Sequence, residues 1–247
     1  MNVIKNPAFY LCVLSVVIAS LFLLIWEGEI LLNYPSEERY PVRGVDVSSY
    51  QGDIDWQILS GEGISFAFIK ATEGSSHTDS RFAYNFENAQ KHGILTGAYH
   101  FFSYDSSGTA QAEHFISTVP VTNGMLPPVI DVEFYGDKEK MPPDKADVTR
   151  ELSDMIARLT EYYGVSPIIY ATQKSYDLYI AGEYPRCGIW IMEVLPCKRP
   201  VLSDGRDWIL WQYTNRYKPK GLSNGERFID MNVFNGTAEE LLSLCCK

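Results

Sequence analysis

Short apolar runs alternate with helix-like stretches along most of the 247-residue chain, and this alternation restricts the fold more than any other feature. In a βα unit the helix carries the chain back, so that the next strand can pair in parallel with the previous one. The runs that predict strands are residues 44–48, 66–71, 95–101, 128–133, 167–171, 188–192, 208–213 and 228–233. Eight strands of this kind predict a closed barrel.

Helices are predicted after the first five strands, at residues 55–60, 81–92, 108–118, 144–163 and 173–180. The fourth is the clearest, because Pro142 and Pro143 set its start and apolar residues then recur every three to four positions. The intervals 193–207 and 214–227 lie between the last three strands and have no helical period. The sequence therefore predicts an α/β barrel of five βα units followed by three strands that loops connect.

The fourth predicted strand ends on two acids, Asp131 and Glu133, in the stretch PPVIDVEFY at residues 127–135. Residues two apart share one face of a strand, about 6.6 Å from each other. Two acids on one face repel each other, and this pair directly follows apolar Val129 and Ile130. Their proximity therefore indicates a function.

Two further acids fall on predicted strands, Asp46 on the first and Asp230 on the eighth. The chemistry of βα barrels takes place where the strands end, so we expect these acids to meet Asp131 and Glu133 at one mouth. Any single acid could instead be structural, paired with Arg or Lys or capping a turn. Four acids at one mouth favour glycoside hydrolysis, which needs one protonated and one ionised carboxyl group. Repulsion within the pair raises the proton affinity of one partner.

Aromatic side chains near the same strand ends are candidates for contacts with the apolar faces of sugar rings. They are Tyr99, Phe101, Tyr135, Tyr170, Trp211 and Tyr213. The alternative is core packing, which is the commoner role of an aromatic residue in a barrel strand. Tyr99 and Trp211 are the strongest candidates.

Residues 8–26 contain no charge and are long enough to cross most of a hydrocarbon core of about 30 Å. Lys5 precedes this segment and Glu27 and Glu29 follow it, so the positive-inside rule places residues 1–7 in the cytoplasm. We expect a single-pass signal anchor in the cell membrane, residues 27–43 as a linker, and an extracytoplasmic domain at 44–247. A cleaved signal sequence, which would make the protein secreted, is the alternative.

Composition excludes some classes of function. The net charge of −10 and the lack of a basic cluster argue against a nucleic-acid partner. The four histidines and five cysteines have no metal-ligand spacing, so no metal or other cofactor is expected. Cys187 and Cys197 bracket a short segment, and either a disulfide between them or two free thiols fits an oxidising exterior.

Six blocks of sequence, in order, resemble glycoside hydrolase family 25, the muramidases also called Chalaropsis-type lysozymes. They are GVDVSSYQGDIDW (44–56), FIKATEG (68–74), FENAQKHGILTGAYHFF (86–102), PPVIDVE (127–133), WQY (211–213) and IDMNVF (229–234). The resemblance implies a flattened TIM-like barrel of five βα units plus three strands. It also implies cleavage of the β-1,4 bond between N-acetylmuramic acid and N-acetylglucosamine in peptidoglycan.

By this resemblance, Glu133 matches the proton donor of the family. Asp131 matches its partner, which orients the substrate's own N-acetyl group as that group attacks. Asp46 and Asp230 match two further acids of the active site. Lys70, Tyr99 and Trp211 match positions that line the family's cleft.

The expected function is therefore a membrane-tethered peptidoglycan hydrolase, with a monomeric catalytic domain, acting in wall remodelling or local wall opening. Two alternatives remain open from the sequence. One is a peptidoglycan-binding scaffold that no longer cuts, and the other is a hydrolase of another N-acetylated glycan such as chitin.

Overall fold

The computed structural model describes residues 7–196 and 198–246, and its strands form one closed barrel with three short additions. The barrel strands are β1 (Arg43–Val47), β3 (Phe66–Glu73), β5 (Leu95–Phe101), β6 (Val129–Val132), β7 (Ile168–Thr172), β8 (Ile189–Met192), β9 (Leu210–Tyr217) and β11 (Ile229–Phe234). The two-residue strands are β2 (Asp53–Ile54), β4 (His77–Thr78) and β10 (Leu222–Ser223). All eight predicted strands are confirmed.

The barrel closes through strand pairs that are mostly parallel. β1, β3, β5, β6, β7, β8 and β9 pair in that order, each parallel to its neighbour. β11 then joins β9 to β1 and runs antiparallel to both. The chain can reverse there because β9 and β11 are connected by a loop without a helix.

The helices are α1 (Pro7–Trp26), α2 (Trp56–Ser60), α3 (Phe82–Lys91), α4 (Gly108–Thr118), α5 (Lys145–Tyr163), α6 (Gln173–Ser175) and α7 (Ala238–Ser243). Local sequence explains the ends of α5, since Asp144 accepts hydrogen bonds from the first-turn amides and Gly164 adopts a left-handed φ of 71°. The helix predicted at 173–180 is partly wrong. It divides into α6 and a π-helical turn at Tyr176–Ile180.

Alternation along the strands produces two apolar layers. Phe66 and Phe68 of β3 belong to the cluster inside the barrel, whereas Ala67 and Ile69 belong to the layer beneath the surrounding helices. Gly97 of β5 makes room for the inner layer, because a Cβ atom there would lie 2.4 Å from the Phe68 ring. Side chains of this cluster thus fill the inside of the barrel.

The N-terminal part differs from the barrel in its exposure. No residue of α1 is buried, and it is the one helix of the described residues that is long and apolar enough to span a membrane. A signal sequence would meet the same test. The segment predicted as a linker, residues 27–43, lies against the barrel, and its Tyr40 is only 4% exposed.

Candidate active site

A cleft of about 280 Å³ opens at the barrel end where the parallel strands finish. Its lining includes all four acids that the sequence predicted, Asp46, Asp131, Glu133 and Asp230. The other lining residues are Ser48, Tyr50, Lys70, Tyr99, Phe101, Val129, Tyr170, Trp190, Met192, Gln212 and Asn215. The structure therefore brings the predicted carboxyl groups together.

Asp230 reaches this cleft by a route that differs from the predicted one. β11 is antiparallel to its neighbours, so its beginning lies at the barrel end where the parallel strands finish. Asp230 is the second residue of β11 and pairs in register with Asp46 of β1. The eighth strand thus contributes its amino end to the cleft.

Amide side chains hold Asp46 in place. Gln212 Nε2 donates to both carboxylate oxygens, at 3.2 and 3.0 Å, and Asn232 Nδ2 donates to Oδ2 at 2.7 Å. The amides are themselves oriented, because Tyr170 donates to Gln212 Oε1 at 2.9 Å and the Trp190 ring N–H donates to Asn232 Oδ1 at 2.8 Å. These donors favour the ionised form of Asp46.

Asp230, in contrast to Asp46, favours the protonated form. Burial, followed by the nearby charge of Asp46, raises the pKa of Asp230 well above its usual value. Burial also raises the pKa of Asp46, but the amide donors and a hydrogen bond with Asp230 oppose that rise. We therefore assign the proton of this pair to Asp230 and the negative charge to Asp46.

Asp131 is buried without full hydrogen bonding. The side chain is 8% exposed, and its Oδ1 has no hydrogen-bond partner among the described residues. Burial, and then the charges of Glu133 and Asp46, raise its pKa well above the usual value. A buried acceptor without a partner is costly to the fold, and it is available to a donor on a ligand.

Glu133 lies one residue beyond β6 and is more exposed than Asp131. Burial is the main cause that raises its pKa, while the Tyr170 hydroxyl and the Lys70 charge act in the opposite direction. Lys70 is itself anchored, because its ammonium lies 2.7 Å from Glu73 Oε2 and 4.9 Å from the centre of the Phe101 ring. Asp131 and Glu133 thus form a coupled pair that retains a proton more readily than two isolated acids.

The predicted sugar-binding residues divide into two groups. Lys70, Tyr99 and Tyr170 line the cleft, as expected. Trp211 and Tyr213 do not. They lie on the other face of β9, where the Trp211 ring N–H donates to the Glu193 carbonyl at 2.8 Å and the Tyr213 hydroxyl accepts from Arg43 at 3.1 Å.

The error for Trp211 and Tyr213 has a simple cause. Gln212 stands between them and points into the cleft, so alternation turns both aromatic neighbours outward. The same rule could have revealed two residues that the sequence reasoning missed. Asn232 lies two positions after Asp230 on β11, and Trp190 alternates with Ile189 and Ile191 on β8.

Of the two states that the sequence left open for Cys187, a disulfide with Cys197 or a free thiol, the structure shows the free thiol, which is buried. Burial raises the pKa of this thiol to about 11. Cys197 lies outside the described residues. Among the residues that the structure describes, no group of three or more His, Cys, Asp or Glu side chains could hold a metal ion.

Comparison with known proteins decides the family. The model of a family described as "Glycosyl hydrolases family 25" matches residues 45–222. This chain belongs to glycosyl hydrolase family 25. It is therefore a glycosidase, and the resemblance seen in its motifs is confirmed.

Solved structures of family 25 support the same barrel. A family 25 glycosyl hydrolase from Bacillus anthracis is 53% identical, with a TM-score of 0.80 over 85% of this chain and 96% of that one. A lysozyme from Streptomyces coelicolor is 33% identical, with a TM-score of 0.76 over 83% of this chain and 96% of that one. Lysozyme M1 of Streptomyces globisporus is 35% identical over 217 residues, 82% of this chain and 71% of the relative.

Proposed function

We propose that this protein is a membrane-tethered N-acetylmuramidase, which cleaves the β-1,4 bond between N-acetylmuramic acid and N-acetylglucosamine in peptidoglycan. The observation that carries the proposal is the cleft in which four acids from three sequence regions meet, in a chain of family 25. Similarity to proteins named lysozyme and N,O-diacetylmuramidase supports the choice of peptidoglycan. Wall remodelling or local wall opening is the proposed use.

Glu133 is the proposed general acid and base. Burial raises the pKa of both Asp131 and Glu133, so the pair retains a proton, and Glu133, which is the more exposed of the two, can donate it to the leaving oxygen. Once the leaving group has departed, the ionised carboxylate can accept a proton from the incoming water. Its greater exposure, compared with Asp131, suits exchange of that proton with solvent.

Asp131 is the proposed partner of the substrate's N-acetyl group. Its unpaired Oδ1 offers an acceptor to the acetamido N–H, and that contact would orient the amide oxygen for attack on the anomeric carbon. Attack by the substrate's own amide gives retention of configuration without a glycosyl enzyme. Asp46 and Asp230, which share one proton, position this pair and fix its charge.

The tether in this proposal is α1. Its 20 residues are apolar and unburied, and the acids that follow it favour an extracytoplasmic barrel. Retention of this helix as an anchor, rather than its removal as a signal sequence, is part of the proposal. Mass spectrometry of the mature N-terminus tests that part, because a chain that begins after Trp26 would contradict it.

The test of the activity is mass spectrometry of soluble fragments that the full-length protein, in detergent, releases from purified peptidoglycan. We expect muropeptides with N-acetylmuramic acid at the new reducing end. Glu133→Gln is nearly isosteric and should lower the release rate by about 10³-fold or more. Glu87→Gln, an exposed change on α3, is the matched control and should leave the rate unchanged.

Other outcomes would overturn the proposal in distinct ways. Undiminished release by Glu133→Gln would refute the proton donor. Binding of peptidoglycan without any release would instead indicate a scaffold. Release from chitin oligomers but not from peptidoglycan would indicate a different N-acetylated glycan as the substrate.

A further inference from the structure

The segment that follows α1 is attached to the barrel by ion pairs at its beginning. We call residues 27–43 the collar. Glu27 pairs with Arg227 at 2.6 Å, and Glu29 pairs with Lys218 at 3.0 Å. The guanidinium of Arg216 also donates to the Trp26 carbonyl and lies 5.2 Å from the Trp26 ring centre. All three basic residues belong to the region where β9 leads into β11.

The rest of the collar continues along the barrel. Asn33 donates to the carbonyl of Glu193 at 3.3 Å, and the ring centre of Tyr34 lies 6.3 Å from that of Tyr213 on β9. Tyr40 is buried, with its ring centre 5.8 Å from that of Trp208. Seventeen residues of free chain could extend to about 55 Å. The docked collar instead keeps the barrel next to the end of α1.

These contacts fall beside the cleft. Asn215 lines the cleft and directly precedes Arg216, which holds Trp26. On the other side of the same loop, the amide of Glu226 donates to the carbonyl of cleft-lining Tyr50 at 2.8 Å. The residue after Glu226 is Arg227, the partner of Glu27. The end of α1 is therefore hydrogen-bonded to the residue that directly follows cleft-lining Asn215.

We infer that the collar holds the barrel with its cleft rim against the outer surface of the membrane, so that its substrate is glycan lying at that surface. The inference rests on the proposed tether. α1 leaves the barrel with no buried residue, and its last residue, Trp26, is of a type that favours the lipid headgroup level. A rim held beside Trp26 therefore faces glycan strands next to the membrane rather than the depth of the wall.

The charge of this face fits a lipid surface. The protein as a whole carries −10, which would repel anionic headgroups. Residues 216–227 are different, because they contain four basic residues and one acid. Glu27 and Glu29 of the collar, together with Glu62, which accepts hydrogen bonds from Tyr217 and from the Lys220 amide, bring the local sum close to zero. The face next to α1 thus escapes the repulsion that the rest of the surface would experience.

The orientation can be measured without any hydrolysis. The full-length protein is placed in vesicles that contain a headgroup-attached quencher, with a fluorophore on Glu226→Cys at the rim or on Glu161→Cys. Residue 161 lies near the end of α5, which returns the chain to the opposite end of the barrel. Cys12→Ser and Cys197→Ser remove competing thiols. We expect at least threefold stronger quenching at position 226, and equal quenching would overturn the inference.

Exposed ion pairs each contribute little, so the collar is tested with a double reversal, Glu27→Arg with Glu29→Lys. We expect the two quenching values to converge in this variant. Restoring both pairs by adding Arg227→Glu and Lys218→Glu should recover the difference. Unchanged quenching in the double reversal would show that the collar's ion pairs do not set the orientation, and would overturn their role.

The substrate part is tested with vesicles that carry lipid-linked glycan oligomers, beside the same oligomers free in solution. We expect the double reversal to lower cleavage of the lipid-linked glycan about tenfold, with the rate on the free glycan unchanged. An unchanged ratio would overturn membrane-proximal selection. Absence of cleavage of both glycans, with the quenching pattern intact, would refute the proposed activity and leave the orientation standing.

Discussion

His100 and Asp131 are both buried, titratable side chains on adjacent strands, yet their hydrogen bonding is opposite. His100 of β5 points outward, where its Nδ1 lies 2.7 Å from Thr72 Oγ1 and its Nε2 lies 2.9 Å from Gln111 Oε1. Asp131 of β6 points into the barrel and leaves Oδ1 without a partner among the described residues. Both ring nitrogens of His100 have a hydrogen-bond partner, whereas one carboxyl oxygen of Asp131 has none among the described residues.

The tautomer of His100 follows from its surroundings. The amide of Ser103 donates to Gln111 Oε1 at 2.7 Å, which identifies that atom as an acceptor. His100 Nε2 therefore donates to it, and Nδ1 accepts from the Thr72 hydroxyl. Such a neutral, fully paired histidine stabilises the fold. The comparison teaches that a buried titratable group that serves the fold has its polar atoms paired, as in His100, whereas Asp131 keeps an acceptor free towards the cleft.

The sharpest test of this contrast is Asp131→Asn. It should lower kcat by about 10³-fold, because an amide cannot orient and stabilise the N-acetyl group as a carboxylate does. The free energy of unfolding at pH 7 should instead rise by about 1 kcal/mol, since a buried and repelled carboxylate is removed. Steady-state kinetics and urea unfolding measure the two effects. A variant that is both inactive and less stable would contradict the assignment of Asp131 to function.

For His100 we expect the reverse, a large contribution to stability and little effect on kcat. Its pKa is lowered to about 4, chiefly by burial, from 6.5. The stability it contributes is complete above pH 6.5 and is lost as the pH falls from 6.5 towards 4, by about 3 kcal/mol.

Urea unfolding of the wild type and of His100→Gln over this pH range isolates that contribution. The wild type should lose about 3 kcal/mol more than the variant. Equal pH dependence of the two proteins would show that His100 is not kept neutral by the fold. The kcat of the folded variant at pH 7 should stay within about twofold of the wild type.

The two faces of β9 offer a smaller version of the contrast. Gln212→Leu removes the amide that donates to both oxygens of Asp46 and should lower kcat about tenfold. The loss should be greatest at low pH, because without this donor the Asp46 carboxylate takes up a proton more readily. Trp211→Phe, one residue away and outward, should change kcat by less than twofold while costing about 1 kcal/mol of stability. A pH–rate profile and thermal unfolding of both variants provide the measurements. A tenfold loss of kcat in Trp211→Phe would indicate that Trp211 acts in the cleft after all.

Much of the site could be predicted because periodicity in a barrel is regular. The four acids were found from their places on strands, and Tyr99 and Tyr170 were placed correctly in the cleft. Residue type alone favours a place in the cleft for Trp211, whereas the alternation around Gln212 turns it outward. The antiparallel course of β11 could not be predicted from its own residues, since it depends on which strands it pairs with.

The sequence by itself determined the order of strands and helices, the family motifs and the apolar N-terminal helix, because these depend on local periodicity and residue type. Only the tertiary structure decided that Asp46 and Asp230 pair in register at the cleft, that Asp131 Oδ1 has no hydrogen-bond partner among the described residues and that the His100 ring has two. It also decided that residues 27–43 form a docked collar rather than a free linker. The physical reason is that hydrogen bonds, ion pairs and burial between residues distant in sequence exist only once the barrel closes.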